Sequence, residues 1–201
     1  MKILAFQGSP RIGGNTDTLL KAFLEGAREA GAEVEKYDLY RLEFSPCIEC
    51  GGCDETGECV LEDDFSPLYP KLFEADVIVL ASPIFFYNIS SRTQALVERS
   101  QACWVRKYML KETAQKKRHG IFLSLGATKG KKLFEGVQRV VRYFFDAINA
   151  EYQGGLFFRG IEKRNDIKKH PSALKEAHAL GLSVGRGDPP ETWPLVRTST
   201  P

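Results

Sequence analysis

The sequence has no apolar run long enough to cross a bilayer. A membrane helix needs about 20 consecutive apolar residues, whereas the longest strongly apolar stretch, Asp76–Ile89, is shorter and lies in the middle of the chain. The chain opens on a strand-like run that starts at Met1, without the basic and apolar regions and the cleavage site of a signal peptide. We therefore expect no membrane association and a cytoplasmic location.

The sequence also lacks a surplus of either charge. Its 28 Lys and Arg residues nearly balance 26 Asp and Glu residues, for a net charge of +2. This balance gives nucleic-acid binding no electrostatic support, and we expect no such partner. With 201 residues, 43% of them hydrophobic, the chain has the composition of a folded protein rather than a disordered one. We predict a single domain over 1–187 and a proline-rich tail over 188–201, an extended arm that is free or packed on a neighbouring subunit.

Short apolar runs alternate with amphipathic segments along the predicted domain. Strands are predicted at Lys2–Gln7, Glu33–Leu39, Asp76–Ala81, Gly120–Leu125 and Tyr152–Phe158. Helices are predicted at Thr16–Ala30, Phe65–Glu74 with Asp64 as its cap, Ser91–Tyr108, Lys132–Ile148 and Ser172–Val184. The alternation predicts an α/β fold with a parallel sheet. Five strands fit a flavodoxin-like doubly wound sheet in a three-layer α/β/α sandwich, which binds ligands outside the carboxyl ends of its strands.

The first loop, Gly8–Thr16 (GSPRIGGNT), follows the first strand and begins the first helix. Its hydroxyl and amide side chains, its arginine and the amides of the helix start all suit a phosphate group. It lacks the Lys-Ser/Thr pair of a Walker A loop and the three spaced glycines of a dinucleotide fingerprint. The alternative is an ordinary glycine-rich turn. The candidate phosphate-binding residues are Ser9, Arg11, Gly14, Asn15 and Thr16.

The first loop resembles the phosphate loop of the flavodoxin-like NAD(P)H-dependent FMN reductases. The aromatic loop, Ala81–Ser90 (ASPIFFYNIS), which follows the third strand, resembles the segment of the same family that flanks the flavin ring. The resemblance implies FMN as cofactor, with its ring beside Gly126 and Ala127 and against the aromatic loop. A hydrophobic plug is the alternative for that loop. The candidate ring-binding residues in the aromatic loop are Pro83, Ile84, Phe85, Phe86, Tyr87 and Asn88.

Four of the five cysteines lie in one short segment, the cysteine loop, with the spacing C-x2-C-x2-C-x5-C: Cys47, Cys50, Cys53 and Cys59. An odd, clustered set argues against a disulfide scaffold. Closely spaced thiols separated by glycines favour a [4Fe–4S] cluster, while a zinc ion and no metal remain open. The spacing resembles that of the iron–sulfur flavoproteins, a branch of the same superfamily whose cysteines hold a cluster that exchanges electrons with FMN. Cys103 is interpreted as a packing residue, and Arg99 is assigned no role.

The resemblance implies an FMN-dependent electron-transfer oxidoreductase that passes electrons between FMN and a [4Fe–4S] cluster. No catalytic side chain is predicted, because the chemistry would belong to the cofactors. NAD(P)H is a candidate electron donor, and ferredoxin or a small-molecule acceptor a candidate redox partner. A homodimer or homotetramer is expected from the family. Two alternatives are an NAD(P)H-dependent FMN or quinone reductase without a cluster, and a non-catalytic flavin-binding redox sensor or carrier.

Overall fold

A computed structural model describes residues 1–112 and 116–197. The strands in these residues form one five-stranded parallel sheet. The strands are β1 (Lys2–Gln7), β2 (Glu33–Asp38), β3 (Val77–Pro83), β4 (His119–Gly126) and β5 (Glu151–Arg159), in the order β2-β1-β3-β4-β5. All four neighbouring pairs are parallel. The strand order is the flavodoxin-like one, which confirms the predicted fold class.

Helices cover both faces of the sheet. They are α1 (Asn15–Glu29), α2 (Leu68–Glu74), α3 (Ser91–Arg99), α4 (Gln101–Tyr108), α5 (Glu135–Ala147), α6 (Asp166–Lys169) and α7 (Ala173–Arg186), with 3-10 turns at Leu39–Arg41 and Pro190–Thr192. Alternate residues of β1 separate the two cores. Ile3 packs with α1 and α7, whereas Leu4 packs with α2 and α5. None of the described helices is long and apolar enough to cross a membrane.

The predicted helix Ser91–Tyr108 is broken into two, and the predicted helix Phe65–Glu74 starts three residues late. At Ser100 the amide and the hydroxyl both donate to the carbonyl of Val97, at 3.1 and 2.5 Å, which tightens the last turn and ends α3. Asp64, the predicted cap, does not cap α2: the N-cap is Pro67, and no side chain caps the helix. The Asp63 carboxylate accepts from the amide of Phe65 at 3.0 Å, so Phe65 stays outside the helix.

Within its described residues, the predicted tail packs on its own chain instead of extending freely. Val196 forms an antiparallel bridge with Gly155 of β5, with N···O distances of 2.8 and 3.1 Å. Trp193 is buried in the core, and its indole N–H donates to the carbonyl of Asp188 at 2.9 Å. The physical reason is that β5 is an edge strand, whose free backbone groups the tail pairs. Residues 198–201 lie outside the described part of the chain.

Candidate functional site

The loops that follow four strands meet around one cavity of about 240 Å³, the first-loop cavity. Parallel strands end at the same edge of the sheet, so the loops after β1, β3, β4 and β5 become neighbours. Predicted site residues that line it are Ser9, Arg11, Gly14, Asn15, Thr16, Pro83, Ile84, Phe85, Gly126 and Ala127. The predicted residues Phe86, Tyr87 and Asn88 are not part of this lining. Glu162 and Arg164 are part of it, although the sequence analysis did not select them.

The first loop presents backbone donors to the cavity. The first turn of α1 has Gly14 as its N-cap and receives no hydrogen bond from a capping side chain, so amides of this turn remain available to a ligand. A Cβ at Gly14 would lie 2.7 Å from the carbonyl oxygen of Arg11. A side chain there would force the loop open, and the compact turn therefore requires glycine.

The buried carboxylate of Asp17 holds the first loop in place through a hydrogen bond to its backbone. Asp17 in α1 accepts from the amide of Gly13 at 2.8 Å and forms ion pairs with Lys36 at 2.8 Å and Lys21 at 3.2 Å. Burial by itself would raise the pKa of Asp17, but the bonds from Lys36 and Gly13 outweigh it and the pKa is lowered. Asp17 is therefore ionised at neutral pH, with its charge matched by lysines.

Asn15 makes two structural hydrogen bonds that the sequence analysis did not anticipate. Its Nδ2 donates to the carbonyl of Lys163 at 2.9 Å, and its Oδ1 accepts from the amide of Ile167 at 3.3 Å. These bonds tie the β5–α6 loop, residues 160–165, to the start of α1. They place Arg164 beside the first loop, where its Nη2 donates to the carbonyl of Ile12 at 3.4 Å. No local signal in the sequence marks Arg164, because its neighbour is 152 residues away.

The aromatic loop is a tight hairpin turn. Phe85 and Asn88 exchange backbone hydrogen bonds of 2.8 and 2.9 Å, and the two residues between them have φ of 50° and 61°. Positive φ at both central positions is the geometry of a type I′ turn, which residues other than Gly, Asn and Asp adopt only under strain. Phe86 is fully solvent-exposed and Tyr87 is 56% exposed. The tip of the aromatic loop therefore lies outside the hydrophobic core.

The aromatic loop is anchored to the first loop by one serine. Ser90, the N-cap of α3, accepts from the amide of Thr93 at 3.4 Å and donates to the carbonyl of Gly8 at 2.5 Å. Its own amide donates to the hydroxyl of Ser82 at 3.1 Å. The two loops are thus held in a fixed relation at the edge of the sheet.

The cysteine loop forms a second cavity, the cysteine cavity, also of about 240 Å³. Cys47, Cys50, Cys53 and Cys59 all line it, and all four are free thiols. Within residues 1–112 and 116–197, however, no three His, Cys, Asp or Glu side chains are close enough together to hold a metal ion. The four thiols thus share a cavity without converging to coordination distance.

Burial raises the thiol pKa of two of the cysteines. Cys103 is buried in the core as expected, and burial raises the pKa of its thiol to about 12, so it is inert at neutral pH. Burial, together with the nearby carboxylate of Asp54, also raises the pKa of Cys53. In the metal-free protein the Cys53 thiol is therefore protonated at neutral pH.

Helix α3 connects the two cavities. The aromatic loop leads directly into its first residue, Ser91, and its last residue, Arg99, lines the cysteine cavity. At 1.5 Å rise per residue, the Cα atoms of these two residues are about 12 Å apart along the helix. One helix therefore links the aromatic loop, which borders the first-loop cavity, to the cysteine cavity.

Comparison with known proteins places this arrangement in a family. Residues 1–148 match the NADPH-dependent FMN reductase family. The chain is 40% identical over 193 residues to an iron–sulfur flavoprotein of Methanocaldococcus jannaschii, covering 92% of this chain and 95% of that protein. It is 36% identical over 129 residues to an iron–sulfur flavoprotein of Methanosarcina thermophila, covering 64% of this chain and 65% of that protein.

Among solved structures, an NAD(P)H:quinone oxidoreductase from Methanothermobacter marburgensis matches with a TM-score of 0.68. The match covers 91% of this chain and 94% of that one at 18% sequence identity. At this identity the likeness shows the fold alone, and it agrees with the doubly wound sheet described above.

Proposed function

Because the chain belongs to the NADPH-dependent FMN reductase family, in its iron–sulfur flavoprotein branch, and is a flavin-dependent oxidoreductase, we propose that it binds FMN in the first-loop cavity. We further propose that it transfers electrons between FMN and a [4Fe–4S] cluster held by Cys47, Cys50, Cys53 and Cys59. The observation that carries this proposal is the pairing of a cavity bordered by phosphate-type donors with a second cavity lined by four free thiols.

The donor set of the first-loop cavity fits FMN. The uncapped start of α1 and the hydroxyls of Ser9 and Thr16 suit a phosphate monoester, which carries close to two negative charges. Arg11 and Arg164 border the same cavity and add positive charge. On the other side, Pro83, Phe85 and the Gly126–Ala127 turn provide apolar surface and backbone amides for a flat ring.

FMN would supply two-electron and one-electron transfer, and the protein residues would hold and orient it. The first loop would bind its phosphate, while Asn15 would keep the β5–α6 loop and Arg164 in place. The hydrogen bonds of Ser90 would maintain the distance between the phosphate end and the ring end. We propose NAD(P)H as the electron donor and ferredoxin or a small molecule as the electron acceptor.

The donor set of the cysteine cavity fits an iron–sulfur cluster. Four thiolates are the ligands of a [4Fe–4S] cluster, and the relatives named above are called iron–sulfur flavoproteins. Glu49, Gly51 and Gly57 have positive φ, so the loop turns sharply at several points between its cysteines. In the proposed holoprotein these turns would let the four sulfurs approach one another around the cluster.

A second candidate function is an NAD(P)H-dependent FMN reductase without a cluster. It is favoured by one observation: no three metal-ligating side chains converge in the described part of the chain. In that case the cysteines would be dispensable for hydride transfer to FMN.

The deciding experiment is the visible spectrum with iron and acid-labile sulfide analysis of protein purified without oxygen. We expect flavin bands at about 375 and 450 nm, broad additional absorbance at about 400 nm, and about four iron and four sulfide per chain. Cys50→Ser should lose the iron and keep the FMN. Cys103→Ala is the matched control and should keep both, because Cys103 does not line the cavity. Flavin bands without iron in the wild-type protein would favour the cluster-free reductase.

A further inference from the structure

Arg99 is among the largest fully buried side chains of the protein, and it lies against the cysteine loop. Only 1% of its surface is exposed. Its Nη1 donates to the carbonyl of Ser45 at 3.0 Å, and its Nη2 donates to the carbonyl of Leu61 at 3.3 Å. Ser45 lies two residues before the first cysteine of the loop, and Leu61 two residues after the last. One guanidinium group therefore joins the two stems from which the loop emerges.

Three further groups hold this guanidinium in place. Asp63 accepts from Nη1 at 2.5 Å, and the same carboxylate accepts from the amide of Ser45 at 3.2 Å. Tyr69 accepts from Nε at 3.4 Å, while its hydroxyl donates to the backbone carbonyl of Arg99 at 2.8 Å. The guanidinium carbon lies 5.1 Å from the centre of the Phe65 ring. The arginine is thus held on several sides, which fixes its orientation toward the two stems.

Stability alone is a weak reason for this arrangement. A buried ion pair contributes little net stability, and apolar residues of similar volume often serve as well or better. What an arginine adds is a rigid planar fork that can donate to several fixed acceptors at once, which a lysine cannot match. Arg99 also lines the cysteine cavity and is close enough to Cys59 to interact with it electrostatically.

We propose that Arg99 is the positioning residue of the four-cysteine site. By joining the stems at Ser45 and Leu61, it holds the cysteine loop closed so that its four thiols face one cavity. It acts through the loop backbone and does not coordinate the metal. Asp63 and Tyr69 keep its fork oriented. This inference rests on the proposed function, since it assigns Arg99 a role toward the cluster proposed there.

Arg92 provides a matched control on the same helix. It lies two turns before Arg99, is half-buried, and donates to the carbonyl of Phe44 at 2.8 Å, next to the first stem. Its guanidinium stacks over the Phe44 ring at 5.3 Å. Arg92→Lys therefore makes the same chemical change at an arginine that contacts one stem.

The test compares Arg99→Met, Arg99→Lys and Arg92→Lys by iron retention and by loop accessibility. Substitutions behind metal ligands typically weaken metal binding 10- to 100-fold. We expect Arg99→Met to release its iron at about 10-fold lower chelator concentration, with FMN content unchanged. Arg99→Lys should restore part of the lost iron retention, because it keeps the charge and one donor. Arg92→Lys should match the wild-type protein.

The second readout uses protein from which the iron has been removed. Thiol alkylation and limited proteolysis within 47–59 should become faster in Arg99→Met, because the loop is no longer held closed. Equal alkylation and cleavage rates in Arg99→Met and wild type, or equal iron retention, would overturn the inference. So would loss of FMN together with iron in both Arg99 variants, which would indicate general unfolding. A wild-type protein that assembles no cluster would refute the proposed function instead, while the alkylation rates would still test whether Arg99 holds the cysteine loop closed.

Discussion

Replacing Asp17 with Asn tests whether the buried charge behind the first loop stabilises the protein. The Asp17 side chain has no exposed surface, and its main partner Lys36 is 18% exposed. Removing one partner of a buried pair typically costs about 3–5 kcal/mol. Lys36 keeps a second partner, Asp38, at 2.7 Å, and Lys21 is 53% exposed. We therefore expect a loss near the lower end of that range, about 3 kcal/mol.

The expected change is large enough to measure by thermal unfolding. For a chain of this size, 1 kcal/mol corresponds to about 2–4 °C, so Tm should fall by about 6–12 °C at pH 7. The measurement requires FMN either absent from both proteins or saturating in both, because bound ligand itself raises Tm. Asn retains an acceptor for the amide of Gly13, so the variant isolates the charge. An unchanged Tm at pH 7 would refute the argument.

The pH dependence provides a second check on the same reasoning. The pKa of Asp17 is lowered in the folded protein from its ordinary value of 3.8. Its contribution to stability is therefore complete above pH 3.8 and is lost as the pH falls through the lower, folded-state pKa. The difference between Asp17→Asn and wild type should persist from pH 7 to about pH 4 and shrink below it. A difference that vanishes near pH 6 would contradict this assignment.

Three other predictions concern Arg164, Trp193 and Phe86, whose surroundings only the tertiary structure shows. Arg164→Gln should weaken FMN binding about 10-fold by isothermal titration calorimetry, through the loss of a charged contact of about 1.4 kcal/mol. The affinity of this variant for riboflavin, which has no phosphate, and the FMN affinity of the control Lys168→Gln should both stay unchanged. Equal losses for FMN and riboflavin would argue against a phosphate contact. Trp193→Ala should lower the free energy of unfolding, measured in urea, by about 3–5 kcal/mol, since the ring is buried. A loss below about 1 kcal/mol would mean that the tail is not part of the core. We propose that the protein forms a homo-oligomer and that Phe86, whose ring is fully exposed within the chain, lies at its interface. Phe86→Ser should then shift the protein toward monomer in sedimentation velocity without lowering Tm. An unchanged oligomeric state would place the interface elsewhere.

The strands were predictable because each carries its signal locally. Val77–Pro83 and His119–Gly126 are buried apolar runs, and their predicted positions differ from the structure only at the ends. Helix α3–α4 shows the limit of this approach. The apolar periodicity continues through Ser100, but the hydroxyl of Ser100 donates to the carbonyl of Val97 and ends α3 there. The periodicity of apolar residues does not reveal such a bond.

Within the candidate site, residues on the loops after strands could be chosen from the sequence alone. Ser9, Arg11 and Thr16 border the first-loop cavity, as the position of their loop in a parallel sheet requires. Asn15 also borders it, yet both ends of its amide are used to hold the β5–α6 loop. The residue type was consistent with either role, and only its partners distinguish them.

The sequence by itself determined where the five strands lie along the chain, the chemistry of the first loop and the spacing of the four cysteines, because these depend on residues close together in the chain. Only the tertiary structure decided that Arg164 stands beside the first loop, that Arg99 joins both stems of the cysteine loop, and that Val196 covers the edge of β5. Each of these contacts joins residues far apart in sequence. Such pairs leave no periodic or local pattern, because the energy that selects them arises only when the packed sheet and helices bring them together.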